Sequence, residues 1–120
     1  MGTNKIHTNG YFISAAGDIR KHEQDRMTEV GELIGARTGF FDIVYGEIGD
    51  TVFLVWVDDT GLIDGRPINP MASMIAGRPL FGDVFVTGNE DEDGWVQDLD
   101  YESFDKWFAD RIYLALAHKE

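Results

Sequence analysis

The longest apolar stretch of the chain, Thr51 to Val57, has the length of one β-strand. A helix that crosses a bilayer needs about 20 apolar residues, so no membrane span is expected. The stretch is rich in β-branched and aromatic side chains, which favour extended backbone. Phe40, Phe41, Ile43, Val44 and Tyr45 have the same character, and Gly46 to Asp50 separates the two runs. Gly39 to Asp58 is therefore expected to form two antiparallel strands joined by that turn, with Asp58-Asp59-Thr60-Gly61 closing the second strand.

The remaining elements follow from period and punctuation. Tyr11 to Ser14 is a short apolar segment fit for a first strand. From His22 to Ala36 the spacing of Met27, Val30, Leu33 and Ile34 predicts a helix, opposed by Glu23, Asp25, Arg26, Glu29 and Glu32 and stopped at Gly35. Asn69 is suited to cap a short helix that starts at Pro70 and ends before Gly77. Asp83 to Thr87 reads as a strand, Gly88 to Gly94 as a polar loop, and Trp95 to Leu99 as a further extended segment. Phe104, Trp107, Phe108, Arg111, Ile112 and Ala115 then recur at helical spacing behind Asp100 as cap. The expectation is a small single α+β domain over residues 21–118, an antiparallel sheet with about three helices, preceded by an N-terminal segment, residues 1–20, that includes the first strand.

Charge restricts the function. The 120 residues hold 22 Asp and Glu against 10 Lys and Arg, a formal net charge of -12. Binding to DNA or RNA draws its affinity from cations that displace counterions, so direct nucleic-acid binding is not expected, and neither is an anionic membrane surface. There is no cysteine, hence no disulfide framework, thiolate metal site or thiol nucleophile. The opening residues lack the basic start and apolar run of a secretory signal. The cytoplasm is the expected location. Hydrophobic residues make up 43% of the chain, enough for a core.

Three patterns point to chemistry, each with a plainer competitor. Asn89, Asp91 and Asp93 stand at positions 1, 3 and 5 of a twelve-residue stretch, with Gly94 at 6 and Asp100 at 12, the spacing of an EF-hand-like calcium loop. The segment before it reads as a strand and position 12 is the shorter Asp, so a metal-free acidic turn using Asp93-Gly94 is preferred, and no cofactor is expected. Asp59-Thr60-Gly61 matches the tripeptide of retroviral-type aspartic proteases, but a hairpin turn explains the same three residues. His7, His22 and His118 are read as solvent-exposed, unpaired with any nucleophile or ligand set.

The third pattern is the acidity. Glu90, Asp91, Glu92, Asp93, Asp98, Asp100, Glu102 and Asp105 crowd one stretch, and Asp42, Glu47, Asp50, Asp58, Asp59 and Asp64 line the hairpins. A solvated face that confers solubility accounts for such a run. The functional alternative is a decoy whose carboxylates imitate backbone phosphates and occupy the basic groove of a partner protein. Glu90, Asp91, Glu92, Asp93 and Asp98 would supply the charge, with Trp95 and Tyr101 as aromatic anchors.

Val30-Gly-Glu-Leu-Ile34, Asp59-Thr-Gly61, Pro67-Ile-Asn-Pro-Met-Ala72, Pro79-Leu-Phe-Gly-Asp-Val-Phe-Val86, the Asp93-Gly94 turn and the closing Leu99 before an acidic helix follow one another in fixed order. Over residues 27–108 this order resembles the phage and actinobacterial proteins grouped as domain of unknown function 3846. Glu32 replaces the second glycine of that family's helix, and its opening Pro-Gly strand turn is not evident in residues 1–20. The resemblance implies a phage or mobile-element context and no assigned activity. The functional expectation is a non-enzymatic accessory protein that binds and inhibits or redirects a host or phage protein with a basic surface. A metal-dependent or hydrolytic enzyme and a self-assembling virion protein stand as alternatives, homo-oligomers belonging to the second.

Overall fold

Thr8–Ile13 (β1) and Ile19–Gln24 (β2) form an antiparallel hairpin in register from Thr8↔Gln24 to Ile13↔Ile19. Its turn is closed by the Gly17 N–H, which donates to the Ser14 carbonyl at 3.0 Å. Phe41–Ile48 (β3) and Thr51–Asp58 (β4) form a second hairpin, paired without a bulge from Phe41↔Asp58 to Ile48↔Thr51. Val84–Gly88 (β5) joins the two, pairing with β1 through Tyr11↔Val86 and with β4 through Val55↔Val86. The result is one antiparallel sheet in the order β2-β1-β5-β4-β3, with β2 and β3 at its edges. The structure is a computed structural model that describes residues 7–36, 41–48, 51–60 and 64–117.

Both faces of this sheet are covered, which is why β4 reads as an unbroken apolar run and not an alternating one. Phe53, Val55 and Val57 join Ile13, Val84 and Val86 beneath Pro70–Ala76 (α2) and Tyr101–Ala117 (α3). Leu54 and Trp56 point the other way with Phe85, against Val30 and Ile34 of the short helix region Val30–Leu33 (α1) and its flank. Asn69 holds the first of these layers in place. Its Oδ1 accepts from the Ala72 N–H at 3.0 Å, capping α2, while its Nδ2 donates to the carbonyls of Ile13 at 3.1 Å and Gly82 at 2.9 Å. Gly77, in the left-handed region, ends the helix. Asp100 caps α3 by accepting from the Ser103 N–H at 3.2 Å. Phe104 is buried at 1% exposure, and Trp107 and Phe108 are half-buried beside it.

The α+β architecture expected from the sequence is present, with two local corrections. His22 to Ala36 is not one helix: its start belongs to β2, and only a 3₁₀ turn at Met27–Glu29 and the single helical turn of α1 follow. Gly31 and Gly35 disfavour a longer helix, and Gly35 adopts φ 73° at its end. Trp95 to Leu99 is not a strand either; it makes one isolated bridge, Glu90↔Val96. The first strand falls within residues 1–20 and starts at Thr8. Gly39, Phe40, Asp50, Gly61, His118 and the side chains of Arg111, Ile112 and Ala115 lie outside the described residues. Among the described residues no helix is long and apolar enough to cross a membrane.

Candidate functional site

The acidic segment after β5 folds back on itself as a narrow hairpin. The Gly88 N–H donates to the Gln97 carbonyl, and the Gln97 N–H to the Asn89 carbonyl, both at 3.0 Å. At the tip the Asp91 N–H donates to the Trp95 carbonyl at 2.9 Å, and Asp91 Oδ1 accepts from the N–H groups of Asp93 and Trp95, each at 2.9 Å. Gly94 takes φ 86°, the left-handed backbone that a hairpin of this shape needs. This geometry turns Glu90, Asp91, Glu92 and Asp93 toward solvent, with the Trp95 indole 44% exposed beside them.

The other two residues of the sequence-derived surface sit at the base of the hairpin. Asp98 is exposed, but its Oδ1 accepts from the Asn9 N–H at 2.8 Å and so ties the segment to β1. Tyr101 is half-buried; its hydroxyl donates to the Gly10 carbonyl at 2.8 Å and its ring packs edge-on against Tyr11. Burial, and then the charges of Asp98, Asp105 and Glu23, push the Tyr101 hydroxyl up from its ordinary value. The exposed tip is thus Glu90 to Asp93 with Trp95, while Asp98 and Tyr101 position it. Below the hairpin, Val52, Phe53, Asn89, Gln97, Leu99 and Phe104 help to line an open cleft of about 420 Å³.

The calcium-type spacing resolves into local hydrogen bonds. Asn89 Oδ1 accepts from the Glu90 N–H at 2.8 Å, Asp91 organises the turn, and both Asp100 oxygens are taken by Ser103. Those Ser103 bonds hold the Asp100 carboxyl below its ordinary value. Among the described residues no group of three or more His, Cys, Asp or Glu is arranged to hold a metal ion.

The polar cluster that the sequence concealed lies at the end of β4. Asp58, counted above among the hairpin carboxylates, is buried, and its Oδ2 accepts from Arg66 Nη1 at 3.1 Å. The same Nη1 donates to the Gly35 carbonyl at 3.0 Å, joining the end of the α1 region to the sheet. Asp58 Oδ1 accepts from the Thr60 N–H at 3.0 Å, and the Thr60 hydroxyl lies between Asp58 and Asp64. Burial pushes the Asp58 carboxyl up, but the bonds from Thr60 and Arg66 outweigh it and hold the group below its ordinary value. The one available signal was position: Asp58 directly extends the buried run of β4. Of the aspartic-protease tripeptide, Asp59 is exposed and Thr60 serves this network.

The histidines do not converge. His7 is exposed and 3.0 Å from Asp25. His22 departs from the expected exposure: it is half-buried, its ring edge-on to Phe85 and bonded to the Gln24 side chain at 3.0 Å.

Among curated proteins none matches this chain. Its fold is similar to part of the crystal structure of small RNA methyltransferase HEN1, with a TM-score of 0.64 and 13% identity. That likeness covers 89% of this chain and 16% of the methyltransferase, and at such identity it shows the fold alone. Residues 14–111, from the β1–β2 turn into α3, match the sequence pattern of the domain of unknown function DUF3846, and the chain belongs to that family.

Proposed function

We propose that this chain is a non-enzymatic acidic accessory protein of phage type, which docks through its 88–98 hairpin on a host or phage protein with a basic surface. In this reading it inhibits or redirects its partner, a nucleic-acid-binding defence or replication enzyme in the host cytoplasm, by occupying the groove as a DNA mimic. One observation carries the proposal. The hairpin exposes four consecutive acidic residues, of which Asp91 also holds the turn, beside an aromatic ring that is 44% exposed, and such a pairing joins long-range steering to an aromatic anchor. RNA methylation is not carried over from the structural neighbour, because the likeness covers 16% of that protein and the net charge of -12 opposes a bound phosphate backbone.

The test is affinity capture from a host lysate followed by competition. A retained nucleic-acid enzyme that is released by DNA and by moderate salt supports the reading. Neutralising Glu90, Asp91, Glu92 and Asp93 together should slow its association more than it speeds dissociation. Retention that is indifferent to salt and to the four substitutions overturns it.

A further inference from the structure

The two edges of the sheet differ in how they meet solvent. β2 carries exposed Arg20 and Lys21, whose cations fold over the rings of Phe12 and Tyr101 at 4.3 and 4.6 Å. Charged side chains of this kind blunt an edge strand against further pairing. β3 runs from Phe41 to Ile48 without Lys, Pro or a bulge, and its only charges are the exposed carboxylates of Asp42 and Glu47. Among the described residues no strand pairs with its outer side.

The pairing pattern identifies the groups that face outward. The Ile43 N–H donates to its neighbour's carboxylate, Asp42 Oδ1, at 2.8 Å, so it faces away from β4. Backbone groups alternate sides along a strand, and Tyr45 and Glu47 therefore also present N–H and C=O outward. Tyr45 is 59% exposed, the largest value for a large hydrophobic side chain among the described residues. Next to this edge lies an open groove of about 330 Å³, lined by Gly46, Met74, Ile75, Ala76 and Trp107. At its wall Gly46 has no side chain, which leaves room for the Phe53 ring to cross that position, 2.5 Å from where a Cβ would stand.

We infer that the outer edge of β3 is a strand-addition site, whose occupant is an extended segment of a partner protein with alternating basic and apolar residues. Its backbone would pair with Tyr45 and Glu47, and every second side chain would enter the groove beside Met74 and Trp107. Main-chain bonds then supply affinity and the groove supplies selectivity. The basic character follows from the exposed Asp42 and Glu47 on this strand and the net charge of -12. The same charge disfavours a second copy of this chain as the occupant. This site is separate from the acidic hairpin and does not depend on it.

The probe is a short blocked synthetic peptide of alternating lysine and valine, added to the full chain while backbone amide exchange is followed by NMR. Exchange at Tyr45 and Glu47 should slow by at least about tenfold. An otherwise identical peptide with alternate backbone amides methylated should give no protection. Tyr45→Pro removes an outward donor that the β3–β4 ladder does not use, and an edge strand tolerates proline there; it should abolish binding with the far-UV spectrum unchanged. Should that variant fail to fold, Glu47→Lys decides, with an expected loss in affinity of several-fold at low salt. Four results overturn the inference: no binding of the probe, binding that survives amide methylation, protection confined to Glu90–Trp95, or β3 amides already protected in a dimer of the free chain.

Discussion

Arg66 Nη1 stands 3.1 Å from Oδ2 of Asp58, whose side chain has no exposed surface at all. The pair closes the sheet at the end of β4 and reaches the Gly35 carbonyl. Removing one member of a buried ion pair strands the other charge, so Arg66→Ala should cost about 3–5 kcal/mol in urea or thermal unfolding. Because the folded carboxyl lies below its ordinary value of 3.8, its contribution is complete above that pH and disappears as acid titrates the folded group. Stability against pH should fall on the acid side in the native chain, and this part of the fall should shrink in Arg66→Ala, where only the Thr60 bonds still oppose burial.

Asn69 tests the buried polar joint. Asn69→Ala removes the cap of α2 and leaves the Ile13 and Gly82 carbonyls without their donor, a loss of about 2–4 kcal/mol. Asn69→Asp keeps the acceptor and lacks the donors. Equal or greater destabilisation by Asp shows that the two carbonyl bonds matter; near-native stability would refute their weight.

The Tyr11 hydroxyl donates to Asp105 Oδ1 at 2.6 Å. Burial first, and then this bond and the Asp105 charge, raise its pKa from 10.0 to about 12. The neutral hydroxyl is the form that the fold favours, so its contribution is complete below pH 10 and is lost as pH climbs through about 12. Phenolate absorbance should show this late titration. In Asp105→Asn it should move down part of the way, since burial remains.

Phe104, 1% exposed, contacts Phe53, Tyr11, Trp107 and Phe108. Phe104→Ala should cost about 3–5 kcal/mol by chemical denaturation. Phe108→Ala, at a half-buried site, should cost clearly less. A reversed order would mean that α3 is rotated on the sheet.

At the hairpin tip Gly94 has nothing within 4 Å of a would-be Cβ, so only its φ of 86° resists substitution. Gly94→Ala should destabilise by roughly 1–2 kcal/mol, by the same amount with or without calcium. The Tm should rise no more with calcium than with magnesium at equal ionic strength. A calcium-specific rise that Asp91→Ala removes would restore the metal-loop reading.

How much of this was legible depended on which side of each element is wet. β4, α2 and α3 announce themselves through apolar runs and caps, because their residues face the core. β2 does not: Arg20, Lys21 and Glu23 are exposed and Gln24 is its one buried residue, so at an edge the chain shows no alternation of apolar side chains. Its His22 and Glu23 merged with the Met27, Val30, Leu33 and Ile34 spacing into a helix that the glycines do not permit. The Gly17-Asp18 turn was the available clue to the hairpin. The tip of the acidic loop was legible from composition and the Asp-Gly pair. The Asp58–Arg66 link was not, since a carboxylate after a strand reads as a turn until its cation is found eight residues later.

The place of β1 in the sheet also governs the order in which the chain can fold. Tyr11 pairs with Val86, and the Leu99 N–H donates to the Asn9 carbonyl, so the first strand cannot find its inner neighbour until nearly the whole chain is available. Non-local pairing of this kind raises the relative contact order and slows folding. During synthesis the β3–β4 hairpin can close early, while the β1–β2 hairpin waits beside it with one long edge open. A nascent chain stalled before Val84 would leave β1 and β4 unjoined, and chaperones would meet it as two separate ribbons.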